Sequence, residues 1–223
     1  IMSSDWSSDV CSSDLVDTAG IRRRSKVHEP VEYYSVHRAI GAVAEAEVVL
    51  LLVDSEEGVT DQDKKIASLA VREGRGVILG LSKWDLLPPI PNRSQAAEDQ
   101  IRFLFPVLSF APVVPLSALT GENIDRLLDT IRRVHAQLQR RISTPALNEA
   151  LARWLEENPP SGRVNIRVRY GTQVSANPLR FLFFANRSVS DAYQRFLIRR
   201  IRETFGLTMV PIDLEIRRGQ RRA

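Results

Sequence analysis

The chain has 223 residues, 43% of them hydrophobic and 26% charged, with a formal net charge of +4 and a single cysteine, Cys11. That composition excludes a disordered polymer and a disulfide-stapled secreted domain. No apolar run approaches the roughly 18 residues that a bilayer crossing needs, so a membrane-spanning helix is excluded too. What remains is a globular protein of one large or two ordinary domains, expected in a reducing cytoplasm.

Residues 1–15 read IMSSDWSSDVCSSDL, repeat Ser-Ser-Asp three times and carry almost no hydrophobic periodicity. Asp5 to Leu15 back-translates without strain to a common sequencing-library adapter, so this stretch is expected to be a non-native leader and stays outside the fold reasoning. From Val16 the pattern becomes orderly. Glu32 to Ala46 has helical spacing, with Tyr34, Val36, Ile40 and Val43 as its buried stripe. Val48 to Val53, ending at Asp54, is a short β-branched apolar run expected as a strand buried on both faces. A helix from Asp61 to Glu73 follows, broken by Gly74 to Gly76, and then a second buried strand, Val77 to Leu81. Gln95 to Leu104 predicts a helix, Val113 to Leu116 a third strand, and Ile124 to Arg141 a long amphipathic helix. Strands alternating with helices at this spacing predict βαβ units, an α/β fold with a right-handed, mostly parallel sheet and helices on both faces.

The character changes after Arg141. Thr144 is placed to cap a helix with Pro145 in its first turn, running to about Glu157, and Asn158-Pro159-Pro160-Ser161-Gly162 stops it. Val164 to Tyr170 alternates, with Val164, Ile166, Val168 and Tyr170 on the core side and Arg167 and Arg169 outside. Leu182 to Ala185 reads as a strand, Asp191 to Phe205 as a helix and Pro211 to Arg217 as a last strand, together a small α+β domain. Trp154, Phe181, Phe183, Phe184 and Phe205 are read as packing residues. The expected organisation is a leader at 1–15, an α/β domain at 16–141, the α+β domain at 142–217 and a basic tail at 218–223.

Three short motifs carry the chemistry. Asp17-Thr18-Ala19-Gly20 fits the DxxG element of P-loop GTPases, in which the carboxylate holds Mg²⁺ through water and the glycine offers its N–H to the γ-phosphate. Ser82-Lys83-Trp84-Asp85, directly after the second strand, fits the NKxD guanine loop, in which the aspartate accepts two hydrogen bonds from guanine that adenine cannot supply. Ser82 stands where asparagine is usual, which points to a weaker contact with the base rather than to lost specificity. Ser117-Ala118-Leu119 fits the loop whose backbone supports the guanine carbonyl. Each alone also fits a polar surface turn. About 65 residues separate Asp17 from Ser82 and about 30 more lead to Ser117, each motif at the carboxyl end of a strand, where open α/β sheets bind ligands. A P-loop ATPase is the competing reading, and Asp85 after Lys83 argues against it.

The flanking residues go further. DTAGIRRRSKV at 17–27, EYYSVHRAI at 32–40, VDSEEGVTDQD at 53–63, SKWDL at 82–86 and PLSALTG at 115–121 closely resemble the second GTPase domain of the Der (EngA) family. STPALNEAL at 143–151, RVRYGTQV at 167–174, NP at 177–178 and FANR at 184–187 resemble that family's C-terminal KH-like domain. The resemblance implies a P-loop GTPase fold followed by a small α+β KH-like domain. It further implies GTP and GDP as ligands with Mg²⁺, switch movement at Ile21 to Ser25, and action in large ribosomal subunit maturation, with no membrane or DNA partner. The sequence departs from the family in holding no GxxxxGK[ST] phosphate loop, so the fragment as written is expected to hydrolyse GTP negligibly and to leave core surface such as Val49 and Leu51 bare. It also holds no GXXG loop after Arg141, which argues against the usual KH clamp on RNA. Arg167, Arg169, Arg217, Arg218, Arg221 and Arg222 are the candidate ribosomal RNA contacts, against the plainer reading that they solubilise the domain; a non-catalytic ribosome-binding module is the alternative function.

Overall fold

The structure is a computed structural model, which describes residues 15–16, 40–160 and 166–218. The DTAG motif at 17–20, the basic cluster and switch at 21–26, most of the helix expected at 32–46, and Arg221 and Arg222 lie outside the described residues; 40–45 of that helix is helical.

Two three-stranded sheets organise the described chain. In the first, β1 (Val48–Asp54), β2 (Gly76–Ser82) and β3 (Val113–Pro115) run parallel in the order β1-β2-β3, with Asp54 level with Ser82 and Leu81 level with Pro115. The helices α1 (Asp61–Arg72) and α2 (Arg93–Leu104) make the two crossovers, and α3 (Ile124–Leu138) follows β3. The α1 start is written in its sequence: Thr60 Oγ1 accepts from the Asp63 N–H at 3.2 Å while the Asp63 carboxylate accepts from the Thr60 N–H at 2.8 Å, satisfying two donors that a helix end would otherwise orphan.

Central β2 is buried along Gly76 to Leu81, as its apolar run requires. β1 departs from the expectation of burial on both faces: Leu52 is 52% exposed, whereas Val49 and Leu51 are half-buried and pack against the core that holds Val77 and Leu79. A strand displays alternate side chains on opposite faces, and the more open face of β1 is the one carrying Leu52.

The second sheet follows α4 (Thr144–Glu157), whose cap is Ser143 rather than Thr144: the Ser143 hydroxyl accepts from the Ala146 N–H at 3.4 Å. Strand β4 (Val168–Ser175) pairs antiparallel with β5 (Arg180–Ala185), and β5 pairs parallel with β6 (Asp213–Arg218); α5 (Asp191–Phe205) connects the last two. Strand β4 corrects the sequence reading in two ways. It starts at Val168 and continues to Ser175, through a glycine that reads as a breaker. Gly171 is needed there because a Cβ would lie 2.5 Å from Cε1 of Phe183. Its register also skips a residue between Val168 and Tyr170, so Val168 faces the core but Tyr170, expected inside, is turned outward. Phe184 is likewise on the outer face and only half-buried, because Phe183 and Phe184 are consecutive in a strand and both cannot point inward. Trp154, Phe181 and Phe183 are buried as expected, and Phe205 packs edge-on to Trp154 at 6.2 Å.

The two sheets share one interior. A single cluster of buried side chains runs from Ile78, Val114, Leu116, Val134 and Leu138 to Leu147, Phe181, Phe183, Leu197 and Leu207. Polar contacts stitch the seam: Asn177 Nδ2 and Gln139 Nε2 both donate to the Glu47 carboxylate, at 2.6 and 2.8 Å, and the Met209 N–H donates to Gln137 Oε1 at 2.8 Å. The Gln173 amide accepts from the Ile142 N–H at 2.7 Å and donates to the Arg140 carbonyl at 3.0 Å. Those two backbone groups are thereby held outside the helical ladder, and α3 ends at Leu138 instead of Arg141. Gly74, with φ +70°, lies so close to the second unit that a Cβ on it would stand 2.2 Å from Cβ of Pro178.

Candidate functional site

At the carboxyl ends of β1, β2 and β3 three loops meet. The β2 strand ends at Ser82, whose hydroxyl donates to the Val53 carbonyl at 3.1 Å while its own carbonyl accepts from the Ser55 N–H at 3.1 Å, locking the ends of β1 and β2 together. Lys83 then adopts the left-handed conformation, with φ 56°, and a single helical turn from Trp84 to Leu86 follows. Trp84 is buried beneath the Arg93 guanidinium, 4.2 Å from the ring centre, and its backbone N–H donates to the Leu116 carbonyl at 3.1 Å. With that indole anchored, the next residue, Asp85, is presented at the surface.

The third loop starts where Leu116 is tied back to β2, its N–H donating to the Leu81 carbonyl at 2.8 Å. Ser117 is fully buried and structural: its hydroxyl accepts from the Thr120 N–H at 3.1 Å, and its carbonyl accepts from the Gly121 N–H at 3.0 Å. Ala118 and Leu119 are lifted into solvent, Leu119 being 85% exposed. The fold thus brings Ser82, Lys83, Asp85, Ser117, Ala118 and Leu119 to one edge of the sheet, with the Trp84–Leu116 bond as the link.

Asp54 is a member of this group that the motif reading missed. Its carboxylate is 2% exposed; Oδ2 stands 2.7 Å from Nζ of Lys83, and Oδ1 accepts from the N–H groups of Glu56 at 2.9 Å and Glu57 at 3.4 Å. The Lys83 ammonium, with help from those N–H groups and against the cost of burial, holds the Asp54 carboxyl well below the usual range, at about 2. The available signal was an aspartate closing an apolar strand at the level of Ser82 in the next one.

Among the described residues no three His, Cys, Asp or Glu side chains converge as a metal site, and Asp54 is committed to Lys83 and backbone donors. The Mg²⁺ expectation rests on Asp17, outside the described residues. None of the described helices is long and apolar enough to cross a membrane.

Four of the candidate RNA arginines lie at one end of the second sheet. Arg167 and Arg169 stand at the start of β4, Arg217 and Arg218 at the end of β6, and both ends are level with Ala185 of β5.

Comparison with known proteins gives this architecture its relatives. A family model described as the KH-domain-like region of EngA bacterial GTPase enzymes, C-terminal, matches residues 141–217, and one described as the elongation factor Tu GTP binding domain matches residues 32–137. GTPase Der of Treponema pallidum subsp. pallidum is 42% identical over 211 residues, which is 93% of this chain and 46% of that protein. GTPase Der of Moorella thermoacetica is 40% identical over 212 residues, 93% of this chain and 48% of its own length. The chain therefore spans about half the length of the curated relatives it matches. Among solved structures, Era bound to MgGDPNP and a segment of 16S ribosomal RNA aligns over 90% of this chain and 74% of its own, with 22% identity and a TM-score of 0.44, too loose a likeness to carry an argument. With one segment matching a GTP-binding-domain model and the next an EngA-type KH-like model, and relatives of one name at about 40% identity along nearly all its length, the chain belongs to the Der (EngA) GTPase family.

Proposed function

We propose that this chain carries the guanine-reading part of a GTP-binding and GTP-hydrolysing switch protein that acts in the cytoplasm on large ribosomal subunit assembly. The observation that carries the reading is the Trp84–Leu116 hydrogen bond, which sets the Ser82–Asp85 and Ser117–Leu119 loops side by side with Asp85 exposed. Asp85 accepts from the guanine ring N–H and amino group, the stem of Lys83 lies along base and ribose, and the backbone at Ala118 and Leu119 supports the guanine carbonyl. We assign Asp17 to Mg²⁺ and Gly20 to the γ-phosphate, where the ion would supply charge neutralisation when bound. We divide the chain at residues 141 and 142 into a GTPase unit and a KH-like unit, with 1–15 a leader and 218–223 a basic tail.

With no GxxxxGK[ST] loop in its 223 residues, the chain itself binds the base weakly and hydrolyses GTP negligibly. Titrating GDP and ADP into the labelled chain tests this by NMR. GDP is expected to shift amides of residues 82–86 and 117–121 while ADP does not, and Asp85→Asn to transfer the response to xanthosine diphosphate. Equal shifts from both nucleotides would overturn the guanine reading, and measurable phosphate release from GTP would overturn the inactivity. The same absence of a phosphate loop favours the second reading, a ribosome-binding module without catalysis. Salt-dependent binding to ribosomal RNA that ignores guanine nucleotides would select it.

A further inference from the structure

Three stretches far apart in sequence meet at one end of the β4-β5-β6 sheet. Val168 and Arg218 both pair with Ala185, so the start of β4, the end of β5 and the end of β6 are level there. Exposed Arg167, Arg169, Arg187 and Arg217 lie at this corner, together with Arg218 on the side of the sheet that carries Val168 and Ala185. Five arginines thus meet one strand carboxylate, Glu215, which is bonded to Arg217 at 2.6 Å. The other strand carboxylate, Asp213, lies at the opposite end beside Arg180.

Next to this charge the sheet displays two rings. The irregularity at Arg169 turns Tyr170 outward, where it is 44% exposed; its cross-strand partner is Phe184, with ring centres 6.2 Å apart and planes inclined by 35°. Arg217 flanks Phe184 on the other side. Neither ring belongs to the shared interior, whose cover over Phe181 and Phe183 comes from α4 and α5 on the far side of the sheet.

Tilted aromatic faces offer stacking to any base, and guanidinium groups around them offer bidentate contacts to phosphates. Duplex RNA would meet the arginines but keeps its base faces stacked inside the helix, out of reach of Tyr170. We propose that this open sheet face, around Tyr170 and Phe184, binds single-stranded RNA, with bases on the two rings and phosphates on the arginine corner. It rests on the ribosomal RNA reading above and assigns the contact to the sheet instead of a GXXG loop, which this domain lacks.

The test uses the full 223-residue chain and a fluorescein-labelled 12-nucleotide RNA of mixed sequence, single-stranded or annealed to its complement, with anisotropy read over a series of KCl concentrations. Single strands are expected to bind more tightly than duplex. Tyr170→Ala is expected to weaken single-strand binding about tenfold without changing the salt dependence, and Tyr170→Phe to restore it. Arg217→Ala is expected instead to flatten the slope of log K against log salt by about 0.7 for each phosphate that is no longer neutralised. Tyr170 is exposed, so these variants should keep the far-ultraviolet circular dichroism of the parent. Single-strand affinity unchanged by Tyr170→Ala, or a preference for duplex, overturns the sheet proposal and leaves the ribosomal reading standing. Failure to bind either RNA, or ribosomal RNA itself, overturns both.

Discussion

Replacing Asp54 by asparagine removes the buried negative charge that Lys83 and two backbone N–H groups surround, with little change in shape. The carboxyl titrates at about 2 instead of its ordinary 3.8, which corresponds to about 2 kcal/mol of folding free energy. Because Lys83 is half exposed, solvent and salt screen part of that, leaving about 1–2 kcal/mol. The sign follows from the direction of the shift. A carboxylate depressed in the folded state contributes fully above the unfolded value near 4, and the contribution disappears as pH falls from there towards 2. Urea unfolding of the parent and of Asp54→Asn between pH 7 and pH 2.5 measures it. At pH 7 the variant should unfold at a urea concentration lower by about 0.5–1 M, taking about 2 kcal/mol per molar as the denaturant slope. The gap should close as pH drops below 4, since the parent loses the contribution and the variant has none to lose. Subtracting the two curves cancels the other carboxylates. A gap that stays constant down to pH 2.5 would refute the reasoning, because the difference would then come from packing and not from the charge.

Two further substitutions probe the fold. Gly74→Ala places a methyl in a left-handed residue and against Pro178, so it should lower stability by about 2 kcal/mol or more, whereas Gly41→Ala, with nothing within 4 Å, should leave the melting temperature unchanged or raised; equal melting temperatures would contradict the close approach at the seam. Phe183→Ala should cost about 3–5 kcal/mol as a large-to-small change in a closed interior, and Phe184→Ala distinctly less, so similar losses at the two positions would contradict the assignment of Phe184 to the outer face.

Much of this architecture was legible because its signals are local. Continuous apolar runs marked β1, β2 and β3, and the breaks at Gly74 and at Asn158 to Gly162 bounded the helices. The motifs SKWD and SAL sat immediately after their strands, so parallel pairing alone was enough to bring them together. What escaped depends on partners distant in sequence. The outward turn of Tyr170 comes from a skipped residue in pairing with β5, and nothing within Val168 to Ser175 announces it. The early end of α3 is set by the Gln173 side chain, more than thirty residues away in sequence. The pairing of Asp54 with Lys83 was hidden because the guanine motif assigns the lysine to the base and is silent about its other neighbour.

The common interior beneath the two sheets has a practical corollary for dissecting the molecule. A cut in the linker near residue 141 would not release two tidy pieces. The first would carry Val134 and Leu138, and the second Leu147, Leu179 and Leu207, out of the buried cluster that they now share. Each half would then be prone to clump with its own kind, and failure of an isolated half to stay in solution would reflect the cut and not an intrinsic defect of either unit.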